Sequence, residues 1–98
     1  MDTKILKAIA HHLYPIVTIG DAGLSTGVVA ELERAISDHE LIKVRLNLED
    51  RQLRRALANE VAKSLCADLV QQIGKVIVLY HPNTDARPAL SNITRLGR

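Results

Sequence analysis

Aromatic residues are almost missing from this chain: two tyrosines, no phenylalanine and no tryptophan in 98 positions. A core must therefore be packed from Leu, Ile, Val and Ala, and any binding surface has to work without serial ring stacking. There is one cysteine, Cys66, which excludes an internal disulfide framework and suits a reducing cytoplasm. No apolar run reaches the roughly 20 residues needed to span a bilayer. Lys4, Lys7 and two histidines interrupt MDTKILKAIAHH, so it does not read as a secretory signal. A soluble cytoplasmic protein with no membrane partner is expected. Charge of either sign is also scarce in excess: the net charge is only +2. What is present, 47% apolar and 24% charged residues, describes one small globular domain rather than a disordered chain.

The apolar spacing predicts the elements. In TKILKAIAHHL (3–13), Ile5, Leu6, Ile9 and Leu13 share one stripe, and Lys4, Lys7 and His11 share another. Pro15 ends this helix, and PIVTI (15–19) is a short β-branched strand. Ser25 or Thr26 can cap a second helix running to about Asp38, with Val28, Val29, Leu32 and Ile36 inward. Its outward side, Glu31, Glu33, Arg34 and Asp38, is acidic. LIKVRLNL (41–48) alternates strictly: Ile42, Val44, Leu46 and Leu48 face one way, Lys43 and Arg45 the other. Asp50 can cap a third helix, RQLRRALANEVAKSL, with Leu53, Leu57, Val61 and Leu65 as its buried line. LVQQI and VIVLYH flank Gly74-Lys75, the signature of a type II′ hairpin. VIVLY is apolar on both faces and belongs in the middle of a sheet. The order α-β-α-β-α-β-β gives a two-layer α/β domain with a four-stranded mixed sheet, its first two strands parallel. This accounts for residues 1–82; residues 83–98, which lose periodicity, are expected to form a flexible, mildly basic C-terminal tail.

No catalytic constellation is visible. His11 and His12 are adjacent and diverge by about a hundred degrees on a helix; His39 and His81 lack ligand-spaced partners. Cys66 lies in apolar SLCADL and reads as a small core residue. No cofactor or metal is implied. The chemistry-bearing stretch is IGDAGLSTG (19–27), three glycines in nine positions ahead of a helix. Gly20 and Gly23 form G-x-x-G, neither a Walker loop nor a dinucleotide fingerprint. The helix N-terminus that follows favours an anion, and glycines let a sugar-phosphate backbone approach closely. An ordinary strand-to-helix turn explains the same spacing. Lys4, Lys7, Lys43, Arg45, Arg51, Arg54, Arg55 and Lys75 are segregated from the acidic second helix, as in a locally positive surface on a weakly charged chain.

The run IVTIGDAGLSTGVVAELERAISDHELIKVRL, followed by QQIGKVIVLYHP, resembles the stand-alone bacterial form of the CRM domain, the YhbY-like ribosome-associated proteins. The resemblance spans about residues 3–82. It implies an RNA-binding domain, with no DNA partner, folded like the C-terminal domain of a bacterial translation initiation factor. Bacterial members associate with precursors of the large ribosomal subunit, so precursor ribosomal RNA and ribosomal proteins are the implied partners. The family's loop falls on Gly20, Asp21, Ala22 and Gly23, extended by Leu24 and Ser25, with Lys4, Lys7, His11, Lys43, Arg45, Arg51, Arg54, Arg55 and Lys75 as electrostatic support. The loop's inner positions are often basic or polar in relatives, whereas here one is Asp21. Its carboxylate would repel a phosphate by about 1 kcal/mol at a wet surface. The RNA reading requires open glycines on the side that carries Lys4, Lys7 and Lys43. A rival reading is a protein-interaction adaptor docking on a ribosomal protein or GTPase through the acidic second helix.

Overall fold

The computed structural model describes residues 1–96. The chain runs α1 (Thr3–Ala10), β1 (Pro15–Ile19), α2 (Thr26–His39), β2 (Leu41–Leu46), α3 (Arg51–Ser64), β3 (Asp68–Ile73), β4 (Val76–Tyr80) and α4 (Asn92–Leu96). The sheet order is β1-β2-β4-β3, with β1 parallel to β2 and the remaining pairs antiparallel. The fold is α/β with a four-stranded mixed sheet, and the doubly apolar strand β4 is central, as its composition requires.

Helices α1, α2 and α3 start on side-chain caps, and Ser91 Oγ does the same for α4 by accepting from the Ile93 and Thr94 amides. Asp2 accepts from the Lys4 amide, Ser25 from Val28, and Asp50 from Gln52 and Leu53, each supplying a partner to an otherwise orphaned N–H. The β3–β4 turn has positive φ at Gly74, which glycine tolerates without a Cβ penalty.

Strand alternation divides the sheet into two faces. Val17, Ile19, Ile42, Val44, Leu46, Ile77 and Leu79 bury against α2 and α3. The α2 contribution is Leu32 and Ile36; α3 contributes Leu57, Ala58, Val61, Ala62 and Leu65. On the opposite face Leu41 and Val78 pack with Leu6, Ile9 and Ala10 of α1, and Ile93 of α4 joins them. Helices therefore lie on both faces, and α1 with α4 adds a partial third layer to the expected two. Helix periodicity shows that α1 buries a stripe but does not say which side of the sheet receives it.

Other differences are local. Ile5 is exposed rather than part of the α1 stripe. Leu53 is 59% exposed, because the buried line of α3 begins one turn later at Leu57. Cys66 is an exposed turn residue with φ of 51°, not a core residue. Residues 83–96 are folded back onto the domain instead of forming a loose tail. Ser91 and Asn92 are buried, with Asn92 Nδ2 donating to the Leu41 carbonyl at 2.7 Å.

Glu40 organises this return. It links α2 to β2 with φ of 63°, a strained conformation for a residue with a side chain. Its two carboxylate oxygens accept from Ser91 Oγ at 3.0 Å and from the Asn83 amide at 3.2 Å, and its carbonyl accepts from the His81 amide. Periodicity is blind to a segment held by buried polar side chains, which is why the tail looked unstructured. Substituting Glu40→Ala leaves Ser91 buried without its acceptor and should cost about 1–3 kcal/mol. Urea unfolding measures that loss, and amides of residues 91–95 should exchange hydrogen faster than those of β4.

Candidate nucleic-acid interface

The loop between β1 and α2 is a compact turn. The Gly23 amide donates to the Gly20 carbonyl at 3.0 Å, and the Ser25 amide to the Gly23 carbonyl at 3.1 Å. Gly23 has φ of 69°, so one glycine is required by geometry alone. Gly20 has no such requirement. A Cβ built on either glycine would have no atom within 4 Å. Asp21 and Ala22 are exposed, and Leu24 packs against the main core, tying the loop down from below. Ser25 Oγ is committed to the α2 cap at 3.2 Å.

The remaining sequence-derived residues divide into separate places. Gly20, Asp21 and Gly23 line a groove with Leu48, Leu53 and Glu60, on the α3 side of the sheet. Arg51, Arg54 and Arg55 meet Gln72 and Gly74 beside the first turn of α3. Lys7, His11 and Lys43 line a groove of about 320 Å³ over Val76 and Val78, on the α1 side. Arg45 is exposed on that same face, two residues along from Lys43. The expectation that the glycines and the α1 lysines share one side is therefore corrected. The chain leaves β1 toward the α2–α3 layer, whereas α1 crosses the other face. The cations nearest in sequence to the loop groove belong to α3, whose Leu53 and Ala56 line it.

Several cations have structural duties. Arg54 Nη1 donates to the Leu48 and Glu49 carbonyls at 2.8 and 2.9 Å, clamping the β2–α3 connection. Lys43 Nζ donates to the Leu13 carbonyl at 3.1 Å, with donors to spare. Lys75 pairs with Glu49, the one salt bridge among the described residues. Lys4, Lys7, Arg45, Arg51 and Arg55 thus have no carboxylate partner among the described residues. The Lys75 hydrogen bond and charge hold the Glu49 carboxyl below its ordinary value. Burial, then the Glu40 and Asp68 carboxylates, push the Tyr80 phenol up.

A further groove, at the N-terminal end of β1, was not signalled by the sequence reading apart from Lys43. It gathers His12, Tyr14, His39, Lys43 and Arg95. The clue lay in HHLYP, where one of the two tyrosines stands beside a proline that opens an edge strand.

Among the described residues, no helix is long and apolar enough to cross a membrane. For the Glu49–Lys75 pair the sign is definite. A lowered carboxyl pKa stabilises the fold above the ordinary glutamate range, and that contribution is lost as pH falls through the folded value. A carbon-detected NMR titration should place the Glu49 midpoint below that of a free glutamate, and Lys75→Ala should return it upward.

Comparison with known proteins identifies the family of the chain. The model of the CRS1 / YhbY (CRM) domain matches residues 2–81. The chain is 50% identical over 94 residues to the "Probable RNA-binding protein" of Pseudomonas aeruginosa, covering 96% of this chain and 90% of the relative. It is 43% identical over 84 residues to the "RNA-binding protein" of Haemophilus influenzae, covering 86% of this chain and 85% of that one. The solution structure of a hypothetical protein from Staphylococcus aureus superposes with a TM-score of 0.76 at 27% identity, covering 87% of this chain and 88% of that one. Sequence match and sheet topology converge, and the chain belongs to the CRS1 / YhbY (CRM) domain family.

Proposed function

We propose that this protein binds RNA without catalysing a reaction, and that it acts on precursors of the large ribosomal subunit during their assembly in the cytoplasm. Relatives at 50% and 43% identity carry RNA-binding names. The observation that carries the reading is the family match over residues 2–81, because the glycine loop and the α1 lysines lie on different sides of the sheet. Within the loop, a Cβ built on Gly20 or Gly23 would meet open space, so neither position crowds an approaching sugar-phosphate backbone.

Affinity comes chiefly from cations without carboxylate partners. Arg51 and Arg55 stand beside Gln72 and Gly74 at the β3–β4 turn, and Lys7, Lys43 and Arg45 serve the α1 side. Each phosphate they neutralise releases counterions, which makes binding fall steeply with salt. Asp21 is exposed in the loop and works against a phosphate there. The adaptor reading, through Glu31 and Glu33 on the exposed side of α2, predicts the opposite response: weak affinity for naked RNA and sensitivity to charge reversal on α2.

Gly20→Ala separates close approach from folding, since its backbone has no positive φ and its surroundings are open. Thermal unfolding should change by less than about 0.5 kcal/mol, while affinity for ribosomal RNA fragments, measured by filter binding, should drop. Asp21→Asn should tighten binding by about fivefold if a phosphate lies on the loop. Unchanged affinity in both variants would remove the loop from the interface.

A further inference from the structure

The groove at the N-terminal end of β1 differs from the other two cationic grooves in holding a tyrosine. Its volume is about 410 Å³. Tyr14 at its edge is 85% exposed, the most exposed of the large apolar side chains among the described residues. The floor is Ile16 and Ile42, and the walls carry His12, His39, Lys43 and Arg95, with no carboxylate in the lining. In a chain with two aromatic residues, one stands in water among cationic side chains.

These groups are held in place rather than merely adjacent. Arg95 Nη2 donates to Asn92 Oδ1 at 2.8 Å, and Asn92 is itself fixed to the Leu41 carbonyl. His39 bonds through Nδ1 to the Leu90 carbonyl at 2.7 Å, so Nδ1 carries the proton and Nε2 is left over for another partner. Lys43 spends one of its three donors on the Leu13 carbonyl. Arg95 and Leu96 come from α4, which lies beyond the residues 2–81 that the family model matches. The docking of residues 83–96 through Glu40 is what brings them here.

We propose that this groove is a second RNA subsite, which takes an unpaired nucleotide with its base stacked on Tyr14 and its phosphates on Lys43 and Arg95. The proposal rests on the RNA-binding reading above and adds to it a preference for single strands. Stacking is the recognition an isolated ring can supply, since every base has a π-face, whereas a base inside a duplex has both faces covered by its stacked neighbours. The absence of carboxylates and the presence of an arginine and a lysine suit a polyanion and not a basic peptide. Tyr14 and Gly20 lie at opposite ends of β1, roughly 20 Å apart at the rise of a strand. Since β1 is the sheet edge, one RNA strand following it meets both.

The test uses the full chain, a labelled single-stranded RNA of mixed sequence, and the same ribophosphate strand made abasic. Tyr14→Ala should weaken binding of the base-bearing strand by about tenfold and leave the abasic strand unaffected; Tyr14→Trp should restore it. Arg95→Gln should lower the salt dependence by about one ion. With no tryptophan present and Tyr80 the one other tyrosine, quenching of tyrosine emission by the base-bearing strand that is lost in Tyr14→Ala reports stacking on Tyr14. Tyr14→Ala binding as tightly as the parent, or equal binding of the two strands by the parent, would overturn the subsite while leaving RNA binding intact. A parent chain that binds neither strand, nor ribosomal RNA fragments, would overturn the function on which the subsite rests.

Discussion

The period-two alternation of β2 fixes nearly everything else. Ile42, Val44 and Leu46 enter the main core, and the residues between them, Lys43 and Arg45, are directed to the opposite face. Pairing with β4 locks this in, because Ile42 stands opposite Leu79 and Val44 opposite Ile77. A slip of one residue would bury a lysine and an arginine beneath α2 and α3, at a cost that a domain of this size cannot bear. The charged face is thus a consequence of core packing, with Lys43 and Arg45 on the face they share with α1 and α4.

The same logic explains why the candidate binding features sit around β1. An edge strand has one side without a sheet neighbour, and both of its ends open onto loops. At one end the glycine turn carries the chain into α2; at the other, Leu13 and Tyr14 lead in from α1. Glu40 connects the two sides of the molecule. By accepting from Ser91 and Asn83 it anchors the C-terminal segment, and with it Arg95, next to the start of β1.

Much of this was legible in the residues. The crossover between β1 and β2, the hairpin at Gly74-Lys75 and the central place of β4 follow from apolar spacing and turn chemistry, which are local. The Asp50 cap was equally plain, and the α2 cap was narrowed to Ser25 or Thr26, of which the structure uses Ser25. What was not legible depends on distance in space. The stripe of Ile5, Leu6, Ile9 and Leu13 announces a buried face without naming its partner, and periodicity does not tell which side of the sheet receives α1. Leu53 matched the spacing of Leu57 and Val61 but sits in the first helical turn, ahead of the buried line of α3. The return of residues 83–96 was hidden because polar groups, Glu40 with Ser91 and Asn92 with Leu41, hold it, and hydropathy counts such residues as solvent-facing. The groove at Tyr14 was hidden with it, since three of its lining residues, Asn92, Arg95 and Leu96, arrive from α4.

The central claim is that RNA follows the β1 edge, and amide chemical shifts of the full chain titrated with single-stranded RNA test it most directly. The account predicts that signals from Gly20, Asp21 and Gly23 and from Leu13, Tyr14 and Lys43 move together, with those of Glu31 and Glu33 on α2 unmoved. Shifts confined to α2, with both ends of β1 silent, would contradict it.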